Sequence, residues 1–140
     1  MDQQPLDTAM RSLRVVHLVF ILSAVLCMVA GELVQLEGSP DMKIMVAVFG
    51  FVGITDLGFG YFLRKSILDS ARETLRRDPA NPEAIQSWRR GNFLAFVFAQ
   101  TTIIFGLLVR LVVGSPMLAV PFYVVGGAAL ILWAPRHPDA

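Results

Sequence analysis

Four apolar runs organise the chain, covering about 13–36, 42–63, 92–113 and 117–133. Each is close to the ~20 residues that carry a helix across ~30 Å of hydrocarbon. Two of the gaps between them are compact. Glu37-Gly38-Ser39-Pro40-Asp41 and Gly114-Ser115-Pro116 place Gly and Pro where a helix must stop, and Asp41 stands where it can cap the next one. The third gap, 64–91, has a helical period of its own. Ile67, Leu68, Ala71 and Leu75 recur on one face, with charges on the others. Nothing breaks a helix there before Pro79. Asn81-Pro82-Glu83 then supplies an N-cap, a proline at the first helical position and an early acid.

This pattern predicts that the second helix continues to about Asp78 and the third begins at Pro82. The segment 64–91 becomes a helical hairpin reaching roughly 20 Å past the apolar spans, at ~1.5 Å per residue. An amphipathic segment lying on the membrane surface is the other reading of 64–78. Residues 1–10, with Pro5, Asp2 and Asp7, read as a short mobile tail. The predicted fold class is all-α and integral to the membrane: a bundle of four transmembrane helices forming a single domain over 1–140.

Composition agrees with that reading. The 140 residues suffice for one unit. Hydrophobic residues make up 55%, charged residues 16%, and the mean hydropathy is +0.61, too apolar for an ordinary soluble domain. Arg11 and Arg14 ahead of an apolar run resemble a signal-peptide entry. The run that follows far exceeds the usual ~7–15 residues and holds no convincing cleavage pattern, so it reads as a retained helix. The single cysteine, Cys27, rules out an intramolecular disulfide and a cysteine zinc cage, and reads as a small apolar side chain.

The basic residues set an orientation. Arg64, Lys65, Arg72, Arg76, Arg77, Arg89 and Arg90 lie in the central segment, Arg11 and Arg14 before the first span, and Arg136 after the last. The other two turns hold only Lys43, near the start of the second span. The excess of positive charge on the cytoplasmic side then places the chain in the cell (inner) membrane with both termini and the hairpin in the cytoplasm. Trp88 and Trp133 fall near cytoplasmic ends, as interfacial anchors or packed aromatics. The halves also look duplicated. Arg14 and Arg90, and Gly38-Ser39-Pro40 and Gly114-Ser115-Pro116, stand 76 residues apart. Two hairpins in parallel, related by an axis along the membrane normal, would follow.

The intramembrane polar residues are few. Asp56 stands among Gly50, Gly53, Gly58 and Gly60, and a carboxylate at that depth needs a partner or a purpose. Gln100, Thr101 and Ser23 fall at comparable depth, so Asp56, Gln100, Thr101 and Ser23 are the candidate polar or ion-handling cluster. Hydrogen-bonded glue between helices is the alternative role. His17 lies nearer the cytoplasmic end and admits a proton relay. Glu32 and Arg110 fall at one height near the outer end and form a candidate ion pair, with Lys43 as a rival partner. No phosphate loop, nucleophile elbow, zinc helix or paired glycosidase-type carboxylates occur, so no catalytic residue, metal or cofactor is assigned. The arginines of 64–91 are offset by Asp69, Glu73, Asp78 and Glu83 and do not make a nucleic-acid module.

A duplicated hairpin with a carboxylate in its second helix resembles the proteolipid (c-type) subunits of rotary ATPases. That resemblance implies proton carriage by Asp56. The chain departs from the family in three ways. The first helices lack dense glycine, the hairpin turns face outward, and the second hairpin has no acid. The chain otherwise resembles small four-span bacterial membrane proteins. The sequence therefore reads as a non-enzymatic multi-pass protein in contact with membrane lipid. It is an accessory subunit of a membrane-protein complex or a homo-oligomer, with the hairpin for partner contact. Ion or proton translocation through Asp56, and binding of lipid or a small apolar ligand, are the alternatives.

Overall fold

The computed structural model describes residues 4–34, 39 and 42–136, Lys43 by its backbone alone. It consists of four helices: α1 (Gln4–Leu33), α2 (Lys43–Arg77), α3 (Pro82–Val113) and α4 (Pro116–Leu132). No strand occurs among the described residues. The first three helices are long and apolar enough to cross a membrane, and α4 is a shorter apolar helix of 17 residues.

The α2–α3 turn forms where its chemistry directs. Asp78 N–H donates to Thr74 O at the end of α2. Asn81 Oδ1 accepts from Ala84 N at 3.0 Å and Pro82 opens α3. At the other end of α3, Gly114 adopts φ 75, a left-handed conformation that glycine enters without strain, and Pro116 starts α4. The proposed Asp41 cap lies outside the described residues. The residue at the N-cap of α2 is Met42, which makes no side-chain capping bond. Ser39 N–H donates to Val112 O at 3.1 Å, tying that turn to the end of α3.

The N-terminal tail is not a tail from Gln4 onward. Leu6, Ala9, Met10 and Leu13 are buried at helical spacing and share a core with Leu68, Ala71, Leu75, Ala84, Ile85 and Trp88. Pro5 is tolerated because it falls in the first turn, where its missing N–H has no helical partner to lose. Trp88, 1% exposed, is therefore packed inside this end of the molecule rather than anchored at a surface, and Trp133 joins the same core.

Helix α3 is the centre. Its apolar window is 50% buried, against 11% for α1 and for α2. Helices α1, α2 and α4 all pack on it, while no described Cα of α1 comes within 8 Å of one on α2. Helices α3 and α4 make a tight hairpin, but α1 and α2, their counterparts at the 76-residue offset, do not. The packing thus lacks the symmetry of two equivalent hairpins. At Gly126 α4 comes close to the α3 backbone, where an added Cβ would lie 3.0 Å from Ala99 O and 3.2 Å from Ile103 N. Outward faces remain apolar: Leu18, Leu22 and Leu26 on α1, Phe51, Ile54 and Phe62 on α2, Val124 and Ile131 on α4.

Candidate functional site

The four residues of the candidate cluster divide between opposite flanks of α3. Gln100 faces α1, and its Nε2 donates to Ser23 Oγ at 3.2 Å and approaches Cys27 Sγ at 3.7 Å. Its Oε1 is buried with no partner. Thr101 is the next residue, turned about 100° around the helix, and it donates to Val97 O within α3. Asp56 lies on α2, which packs on the other side of α3. It occupies the same edge of α2 as Phe49 and Gly60, seven residues after one and four before the other. Phe49 stacks on Phe105 at 5.4 Å, and Gly60 abuts Phe98. Asp56 is thus held level with Thr101 and Thr102. It is half-buried and makes no hydrogen bond or ion pair among the described residues. Because α1 and α2 stay apart, Asp56 and Ser23 are not brought together.

The open sector of α3 between α1 and α2 exposes Phe93, Val97 and Ile104, which repeat at helical spacing. Asp56 and Thr101 lie along the α2 side of this gap. The carboxylate is accordingly half-buried at the edge of α2 beside that exposed stripe, and is not sealed inside the chain.

Near the last turns of α1 and α3, Arg110 Nε donates to Glu32 Oε1 at 3.3 Å. The side chains are unequally placed, Arg110 10% and Glu32 59% exposed. Arg110 Nη1 also donates to Gly114 O at 2.8 Å, so this guanidinium caps the end of its own helix as well as reaching α1. Tyr123 reaches the same place from α4. Its hydroxyl is buried without a partner and would lie 2.8 Å from a Cβ on Gly31. The rival partner, Lys43, has its side chain outside the described atoms. These groups tie α1, α3 and α4 together and carry no nucleophile or paired acid and base.

Sequence reasoning missed the role of His17. Its Nε2 lies 2.9 Å from Leu130 O, and since a carbonyl only accepts, that nitrogen carries the hydrogen. Around Leu130, Trp133 N–H goes to Ala129 O and Ala134 N–H to Ile131 O, leaving the Leu130 carbonyl free at the helix end. His17 therefore closes the end of α4 from α1, and its ring packs on Phe96 at 4.8 Å. Only the pairing of distant segments exposes this role.

A cavity of about 280 Å³ lies between α2, α3 and α4, lined by Gly50, Gly53, Leu57, Thr102, Phe122 and Val125 among others. Gly50 and Gly53 make this space rather than a backbone contact, since their nearest neighbours are 3.9 Å and 3.5 Å from an added Cβ. Among the described residues no three His, Cys, Asp or Glu side chains gather as a metal set. No protein-family model, curated protein or solved structure matches the chain.

Proposed function

We propose that the chain is a non-enzymatic multi-pass protein of the cell (inner) membrane that works by assembly. A second copy of the chain fills the gap between α1 and α2. The observation that carries this reading is that gap, with Asp56 unpartnered at its rim. A carboxylate left against lipid is costly, and a covering helix takes it and the Phe93–Val97–Ile104 stripe away from hydrocarbon. Two copies inserted with the same orientation hold their Asp56 residues at one depth. A two-fold axis along the membrane normal brings such carboxyls near one another. The termini and the 64–91 hairpin lie in the cytoplasm, and the hairpin core around Trp88 offers a stable surface for a further subunit.

Disulfide trapping tests the assembly. Phe59→Cys and Ile104→Cys, each with Cys27→Ser, are oxidised in native membranes alone and co-expressed. A dimer trapped in at least one combination is expected. No trapped dimer in any combination, with both variants inserted normally, removes the reading.

Occupation of the α2–α3–α4 cavity by a lipid chain or a small apolar ligand is a second reading, favoured by its apolar lining. Gly53→Phe fills that space. Loss of a hydrophobic fluorescent probe that the wild type binds would support this reading, and unchanged binding would remove it.

A further inference from the structure

Three arginines converge where the cytoplasmic extension of α2 passes the end of α4, and the functional reading above uses none of them. Arg64 and Arg72 lie eight residues apart on α2, about 12 Å along its axis. Both are half-buried, and the Nε of each is buried with no hydrogen-bond partner. Arg136 follows Pro135, just past the buried Trp133. No carboxylate pairs with any of the three among the described residues. The Arg64 guanidinium is held below its usual pKa by burial first, then by repulsion from Arg72 and from Arg136, with Tyr61 opposing. Arg64 and Arg72, like-charged and half withdrawn from water, with the exposed Arg136 adding to the repulsion, are expensive to hold unless an anion joins them.

We propose that Arg64, Arg72 and Arg136 form a binding site for a phosphate-type anion, presented by the headgroup of an anionic phospholipid or as a free phosphate. Two guanidinium forks closing on one phosphate from along α2, with a third from the end of α4, make the charge-assisted pairing that arginine favours. The position just past the second apolar span suits a headgroup in the cytoplasmic leaflet.

The test measures thermal unfolding of the purified full chain in a zwitterionic detergent. Palmitoyl-oleoyl phosphatidylglycerol, the matching phosphatidylcholine and inorganic phosphate are titrated separately. The wild type gains stability with phosphatidylglycerol and not with phosphatidylcholine. Inorganic phosphate producing the same gain assigns the site to a free anion, and phosphatidylglycerol alone assigns it to a headgroup. In Arg64→Gln/Arg72→Gln the apparent affinity falls about 100-fold or more. Lys65→Gln/Arg76→Gln removes the same charge from exposed positions on α2 and keeps the wild-type response. Without any anion, Arg64→Gln/Arg72→Gln melts no lower than the wild type, because it relieves repulsion. The proposal is overturned if neither anion stabilises the wild type, if the two double variants respond alike, or if the anion-free Arg64→Gln/Arg72→Gln protein is markedly destabilised. A gain appearing only in Asp139→Asn would assign the arginines to the chain's own tail and also overturn it. The phosphate arm needs no membrane, so it can fail or succeed apart from the membrane reading.

Discussion

Gly126→Ala puts the central packing to a quantitative test. The new Cβ would lie 2.6 Å from Ile103 Cγ1, where carbon atoms prefer ~3.5–4.0 Å. Ile103 is fully buried and has nowhere to swing, and the next atoms met, Ala99 O and Ile103 N, belong to the α3 backbone. Relief therefore requires α4 to back away from α3. Overpacking of this kind costs about 1–3 kcal/mol, and the better helix propensity of alanine returns roughly 0.5–1 kcal/mol. The net change runs from about zero to a loss of about 2.5 kcal/mol, up to roughly a 70-fold fall in the folded-to-unfolded ratio, and Gly126→Ala falls about 1–3 kcal/mol below a glycine-to-alanine change that meets no obstacle. Gly127→Ala is the control, because its Cβ meets only Met28 Cε, at 4.0 Å. Unfolding in mixed micelles of rising dodecyl sulfate, followed by the fluorescence of the buried Trp88 and Trp133, reads both variants. Midpoints that coincide would refute the claim that α3 and α4 meet at Gly126.

Trp88→Ala empties the site of the largest fully buried side chain and should cost about 3–5 kcal/mol in the same assay. His17→Leu leaves the Leu130 carbonyl without its donor and should cost about 1–3 kcal/mol. His17→Gln, which still donates, should recover part of that loss, and equal loss in both would show that the hydrogen bond is immaterial. For topology, Ser115→Cys in a Cys27→Ser background should react with an impermeant maleimide added outside intact cells. Ala80→Cys should react only after the cells are opened, and the reverse pattern would invert the orientation.

Much of the fold was legible because its signals are local. Asn81-Pro82 and Gly114-Ser115-Pro116 state their turn chemistry within three or four residues, and hydropathy alone separates the four helices. The Glu32–Arg110 contact followed from depth along parallel helices, since α1 and α3 run the same way. Local patterns do not report which helix lies beside which. Equal depth put Asp56 beside Ser23, but α1 and α2 occupy different flanks of α3, and neighbouring residues Gln100 and Thr101 point to different helices. Of the four glycines around Asp56, Gly60 does meet α3, an added Cβ lying 2.8 Å from Phe98 Cβ, whereas Gly58 has nothing within 4 Å and Gly50 and Gly53 line a cavity. The first turns of α1 were hidden by Pro5 and Asp7, whose polarity masks the buried Leu6–Ala9–Met10–Leu13 face.

The mass of the protein extracted directly from its membrane into lipid nanodiscs addresses the assembly most directly. Chains of 15.4 kDa are predicted to come out in pairs, and Val97→Trp, which fills the gap beside α3, is predicted to shift them to single chains. A wild-type protein that is single at every concentration, with no partner chain of its own kind, would contradict the account.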